Sequence, residues 1–153
     1  MEYEFEIKQI EEQRVVAIRA ETKPESLGSL MGELFPQVNA YLEEIGVQLA
    51  GPGFARYFEY RPDFVDMQAG LPVSLPVTGR DRIKPDELPG GQVAVTWHVG
   101  PYDTISQALN ALHEWIHESG REEGSAPWEV YWTRPQVEPY PSKWRTEICW
   151  PVK

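Results

Sequence analysis

The chain has 153 residues and a formal net charge of −10, with a pI near 4.8, enough for one domain or two fused halves around a real core. Such acidity argues against gripping a nucleic-acid backbone, which needs clustered lysine and arginine, and no run approaches the ~20 apolar residues that span a bilayer. The single cysteine, Cys149, excludes an internal disulfide, and the acidic start Met1-Glu2-Tyr3-Glu4-Phe5-Glu6 is no signal peptide, so a cytoplasmic protein is expected.

Glu2 to Ile10 alternates Tyr3, Phe5 and Ile7 with charged residues and reads as a half-exposed strand, followed after a polar break by a second at Arg14–Glu21. Pro24 suits the first turn of a helix. Leu27, Leu30, Met31, Leu34, Val38, Tyr41, Leu42 and Ile45 then recur at helical spacing. Pro36 falls inside that stripe and predicts a kink or two short helices. Gly51-Pro52-Gly53 is a turn, Phe54–Arg61 a strand, and Phe64–Val77 an extended return. The second half repeats the plan. A turn at Pro89-Gly90-Gly91 leads into strand Gln92–Val99. Gly100-Pro101 opens a helix carrying Ile105, Ala108, Leu109, Leu112 and Ile116, which Gly120 terminates. Strand Pro127–Thr133, a Pro-rich turn at Pro135, Pro139 and Pro141, and strand Trp144–Trp150 close the chain.

The fold class read from this order is α+β, a strand-helix-strand-strand unit present twice, at about 1–79 and about 80–153. Val16-Ala17-Ile18 matches Val93-Ala94-Val95, and Glu59-Tyr60-Arg61-Pro62 matches Trp132-Thr133-Arg134-Pro135. Duplication predicts two antiparallel-sheet halves related by a pseudo-twofold axis, with a central cleft as the ligand site. In this alignment Val16, Ile18, Val93 and Val95 face the helices, Glu129 aligns with Arg56, and Tyr131 with Phe58. Those four would line the cleft if Val130 and Tyr57 pack inward. Parity puts Trp97 on the core side unless a bulge turns it.

The stretch Trp128-Glu129-Val130-Tyr131-Trp132 carries the functional reading. Strand parity puts Glu129 and Tyr131 on one side, among many large rings. A carboxylate beside a phenol in that setting suits a flat, electron-poor or cationic aromatic molecule. The plainer alternative is a solvated residue on the wet face of a one-sided sheet.

In order along the chain, Pro89-Gly90-Gly91, His98-Val99-Gly100-Pro101-Tyr102, Glu129-Val130-Tyr131, and Thr146-Glu147-Ile148 with Pro151-Val152 resemble the GyrI-like small-molecule-binding family. That family comprises stand-alone gyrase-inhibitory proteins and the effector-binding domains of multidrug-responsive regulators. The resemblance implies that Glu129 lies at the bottom of an aromatic pocket and meets lipophilic cations, with Trp144 stacking on the ligand. It also implies, for one subfamily, hydrolysis of the strained cyclopropane of DNA-alkylating compounds. The chain differs from the regulators in having no DNA-binding helices ahead of Glu2, so direct DNA binding is not expected.

The candidate site is therefore Glu129 as polar anchor or acid/base, with Phe58, Trp97, Tyr102, Tyr131 and Trp144 as the ligand-binding cage. The expected partner is an aromatic or cationic small molecule of xenobiotic type, with no cofactor, no metal and no membrane. A protein-interaction module such as a gyrase modulator is the alternative. His113-Glu114-Trp115-Ile116-His117 fits the helical zinc motif H-E-x-x-H. The helix stops at Gly120, however, and Glu122 and Glu138 are only loosely placed as a third ligand, so a zinc hydrolase ranks third.

Overall fold

The structure is a computed structural model describing residues 3–133 and 138–153. In chain order the main elements are β1 (Phe5–Ile10), β2 (Gln13–Thr22), α1 (Leu27–Glu44), β3 (Phe54–Arg61), β4 (Phe64–Pro72), β5 (Ile83–Leu88), β6 (Gly91–Val99), α2 (Ile105–Glu118), β7 (Trp128–Tyr131) and β8 (Arg145–Pro151). The fold is α+β with antiparallel pairing. Two compact units divide the chain: Glu12–Pro89, and Met1–Glu11 with Gly90–Lys153. Arg134-Pro135 of the sequence match, and the Pro-rich turn at Pro135, lie outside the described residues.

In the unit Glu12–Pro89 the strands run β3-β4-β2-β5. Helix α1 buries Leu34, Val38, Tyr41 and Leu42. It covers the side bearing Val16, Ile18, Met67 and Leu71: a Cβ built on Gly53 would stand 3.0 Å from the Phe35 ring of α1 and 3.4 Å from Leu71, and Leu71 is paired with Val16. The chain does not divide into two short helices at Pro36, since α1 is one helix through it. An interior proline costs about 3 kcal/mol, and the buried residues Leu34 and Val38 on either side of it tie both turns to the same sheet face. Strand β5 has no counterpart in the sequence reading. It pairs with β2 at the edge of the sheet and carries Pro85 among charged residues, a composition tolerated at an edge and hidden from periodicity.

In the other unit the order is β1-β6-β8-β7. The first strand of the chain pairs with β6, not with β2 that follows it. Helix α2 buries Ile105, Ala108, Leu112 and Ile116. Its Trp115 stacks on Phe5, with ring centroids 5.4 Å apart and an interplanar angle of 12°. Its His113 lies 5.4 Å from the Trp150 ring. Phe5 is paired with Thr96 and Trp150 with Ala94, so α2 covers the Ala94, Thr96 and His98 side of β6. This corrects the expectation that Val93 and Val95 face the helix. Val93, Ala94, Val95 and Thr96 are all buried, so the apolar pattern of this strand does not announce which parity lies under the helix.

The two units therefore correspond one residue away from the match drawn on sequence alone. With the helix starts Leu27 and Ile105 superposed, Ile18 corresponds to Thr96 and Ala20 to His98. The ladders carry the match outward. Ile18 pairs with Ala69, which pairs with Ala55, while Thr96 pairs with Ile148, which pairs with Glu129. Ala55 is thus the counterpart of Glu129, and Tyr57 that of Tyr131.

Candidate functional site

Strand β7 is short, four residues between Pro127 and the Trp132-Thr133 exit. Its aromatic and β-branched residues suit a pleated surface packed on both sides. Glu129 and Tyr131 point to the side that α2 covers, and both are buried, at 6% and 8% exposure. The Tyr131 hydroxyl donates to Glu129 Oε2 at 2.6 Å, a short, charge-assisted bond when the carboxyl is ionised. Tyr102 comes from the 3-10 turn that leads into α2. Its ring centroid lies 5.4 Å from that of Tyr131 and 4.6 Å from that of Trp144. Its hydroxyl donates to Thr133 O at 3.0 Å. Burial raises the Tyr102 pKa, and the nearby Glu129 charge adds to the rise. Trp144, just ahead of β8, donates from Nε1 to Glu138 O at 2.8 Å. Four of the expected site residues, Tyr102, Glu129, Tyr131 and Trp144, thus form one cluster.

Trp97 does not join it. Trp97 sits on the opposite side of β6, where its ring is 6.2 Å from Trp132 and is covered by the Arg145 guanidinium at 4.6 Å. The β6 ladders to β1 and β8 run in unbroken register, so no bulge turns it round. Phe58 belongs to the unit Glu12–Pro89. There it follows the register shift after Tyr57 and lies 4.0 Å from the Arg19 guanidinium and 5.2 Å from that of Arg56. Arg19 in turn holds Asp66 with two bonds of 2.8 and 2.9 Å. Burial lowers the pKa of Arg56. A concavity of about 490 Å³ is lined by Arg19, Ala20, Glu21, Asp66 and Arg82; its charged wall lacks the ring-and-carboxylate chemistry of the cluster.

Residues that the sequence reading left without a role complete the site. His98 is fully buried. Its Nε2 lies 2.9 Å from Thr104 Oγ1 and 3.2 Å from Pro101 O, and its Nδ1 lies 3.4 Å from the Tyr3 hydroxyl. Thr146 is paired on one side with His98 and on the other with Tyr131. It is fully buried, and its Oγ1 has no hydrogen-bond partner among the described residues. Thr96, also fully buried, donates to Glu4 O at 2.7 Å. Thr96, His98, Thr146, Glu129 and Tyr131 make a polar seam on the sheet face under α2. The corresponding residues of the other unit are Ile18, Ala20, Met67, Ala55 and Tyr57. The signal was present in sequence as alternate residues of three strands, but it becomes visible only once the strand register is known.

The profile of the GyrI-like small molecule binding domain matches residues 3–153. The chain belongs to that family. Its fold is that of the EcmrR C-terminal domain, with a TM-score of 0.90 and 24% identity over 100% of this chain and 99% of that one. Against EcmrR in its complex with DNA the TM-score is 0.88 at 24% identity, and the match spans 99% of this chain but 57% of that chain. SAV2435 bound to tetraphenylphosphonium has a TM-score of 0.65 at 16% identity, covering 98% and 94% of the two chains. A Listeria innocua protein described as a hydrolase gives 0.66 at 17% identity, covering 97% and 91%. No curated protein matches the chain. Family membership makes it a small-molecule-binding domain, and among the described residues no helix is long and apolar enough to cross a membrane.

The H-E-x-x-H segment has acquired a neighbour. Glu123, from the loop after α2, places Oε1 against both His113 Nδ1 and His117 Nε2, 2.9 Å from the latter. Neither Glu122 nor Glu138 takes that place.

Proposed function

We propose that the seam beside Tyr102 and Trp144 captures flat, lipophilic aromatic molecules of xenobiotic type and prefers those with positive charge. The observation that carries this reading is a buried carboxylate, hydrogen-bonded by Tyr131, beside the packed rings of Tyr102, Tyr131 and Trp144. A cation over an aromatic face gains about 0.5–2 kcal/mol per ring. Two or three such rings supply about 1–6 kcal/mol; with the carboxylate and the burial of the ligand's own apolar surface at about 25 cal/mol per Å², micromolar affinity, about −8 kcal/mol, is the expected range. Such a site selects by charge and flatness rather than by shape-specific hydrogen bonds. The tetraphenylphosphonium held by SAV2435 is a molecule of this class. Phe58 and Trp97, each already under a guanidinium group, have no part in this reading.

The same carboxyl also supports a hydrolytic role toward cyclopropanoid alkylators. Protonated Glu129 would donate to a carbonyl conjugated with the cyclopropane while water attacks a ring carbon. The strained C–C bond then breaks with its electrons moving toward that carbonyl, and the proton lost from water regenerates the acid. Ring strain supplies part of the driving force.

Titration of a rhodamine-type dye into the protein tests capture. Saturable quenching of tryptophan fluorescence is expected, through Trp144. A flat signal at concentrations well above micromolar would instead favour a protein-interaction role such as gyrase modulation. Turnover is tested by following loss of a cyclopropanoid compound's conjugated chromophore, which Glu129→Gln should abolish.

A further inference from the structure

Helix α2 ends in a reversal that builds a second cluster, away from the polar seam. Gly120 takes a φ of 79°. Its N–H donates to His117 O at 3.1 Å, and the Arg121 N–H donates to Ile116 O at 3.1 Å. This pair of bonds around a left-handed glycine sends the chain back along the helix. Glu123 then forms a bridge with Val152. On either side of it, Gly124 N–H donates to Pro151 O at 2.7 Å and Lys153 N–H donates to Glu122 O at 2.9 Å. The Glu123 carboxylate, 18% exposed, is therefore fixed from the backbone, while His113 and His117 stand half-exposed at 51% and 54%. The two imidazoles are one helical turn apart, with centroids separated by 4.6 Å. One donor atom from each of the three residues lies within 4.8 Å of the others.

We propose that His113, His117 and Glu123 bind one divalent transition-metal ion of the zinc class, with water completing the coordination. Neutral imidazole nitrogen and carboxylate oxygen are the donors such ions take, at about 2.0–2.2 Å. Tetrahedral bonds of that length set donors about 3.4 Å apart. The 2.9 Å between His117 Nε2 and Glu123 Oε1 has to open by about half an ångström and the closer His113 Nδ1 contact by more, both within reach of side-chain rotation. The net charge of −10 favours a cation over an anion here. The ion clamps the last turn of α2 to the end of β8 through the loop that carries Glu123. With both histidines half in solvent and no enclosing cleft among the three residues, binding rather than zinc-protease chemistry is the role assigned.

Tag-free protein stripped with a chelator and titrated with Zn²⁺, and separately with Co²⁺, tests this. Trp150, 5.4 Å from His113, makes tryptophan fluorescence a reporter, and the visible absorption of bound Co²⁺ reports its geometry. One ion per chain is expected at micromolar affinity, with tetrahedral-type Co²⁺ absorption and a thermal midpoint that rises with Zn²⁺. Glu123→Gln keeps the side chain's shape and should weaken binding at least tenfold, as should His117→Ala, and neither variant should show the midpoint rise. Absence of saturation at millimolar Zn²⁺, or equal affinity in both variants and the parent, would overturn the proposal and leave the three residues as a hydrogen-bonded helix terminus.

Discussion

Replacing Glu129 by glutamine keeps the size of the side chain and the oxygen that accepts the Tyr131 hydroxyl bond, while removing the charge. For a ligand cation about 5 Å from the carboxylate at an effective dielectric near 20, the lost attraction is about 3 kcal/mol. Desolvation of both charges cancels part of it, so we expect a net loss of at least about 1.4 kcal/mol, a tenfold rise in Kd. The bond to Tyr131 weakens from charge-assisted to neutral, a change of about 1 kcal/mol. In a chain of this size that moves the thermal midpoint by roughly 2–4 °C. The assay is fluorescence titration with a cationic dye and with a neutral aromatic of similar outline, alongside a thermal melt. The cation should lose tenfold or more and the neutral compound little. Equal affinity of variant and parent for the cation would remove Glu129 from the site. An equal loss for both ligands would show that the variant had distorted the surroundings of Glu129, and the charge argument would fail.

Trp144→Ala should weaken dye binding severalfold, whereas Trp97→Ala should leave it unchanged, because Trp97 lies on the other side of β6; the fluorescence anisotropy of the dye, which does not depend on either indole, reads both. Thr146→Val removes a buried hydroxyl with no partner among the described residues and should stabilise the fold by about 1 kcal/mol in urea melts, with weaker ligand binding as its cost. Cys149 should resist alkylation in the native protein and react on unfolding, because burial pushes its thiol pKa far up; mass spectrometry before and after denaturant decides this. The Arg19 hydrogen bonds hold the Asp66 carboxyl below its ordinary pKa, so this pair stabilises the fold above the unfolded value near ~4 and ceases to as pH falls through the folded one. Asp66→Asn should therefore cost at most about 1 kcal/mol near neutral pH, Arg19 being largely exposed, and the difference should vanish in acid urea melts.

The strands and helices were legible wherever one face is apolar and the other is not. The stripe of α1 announced itself by period alone. Strand β6 did not, because Val93 to Thr96 is buried on both sides. A one-residue choice of parity there moved Glu129's counterpart from Ala55 to Arg56 and put Trp97 on the helix side. Strand β5 was hidden because Lys84, Pro85, Asp86 and Glu87 are typical of an edge and of a loop alike. The partner of β1 is not local information, since only pairing across most of the chain joins Phe5 to Thr96. Glu123 was missed for a related reason: the left-handed turn at Gly120 decides which of two adjacent glutamates returns to the histidines.

The duplication supplies an internal control on what the seam is for. The unit Glu12–Pro89 closes its helix over Ile18, Ala20, Met67, Ala55 and Tyr57, so this framework has no need of a histidine, two threonines and a carboxylate in those places. Each buried polar group must find a partner or cost about 1–3 kcal/mol, and Thr146 has none among the described residues. Tyr57 and Tyr131 occupy the same position in both units, so the phenol by itself does not set the second unit apart. Ala55 against Glu129 is the difference that scaffolding does not explain. A helix laid over a sheet packs best on apolar residues, so the fold alone gives no reason for a carboxylate there with rings beside it, and the proposed capture of a cationic aromatic molecule gives one.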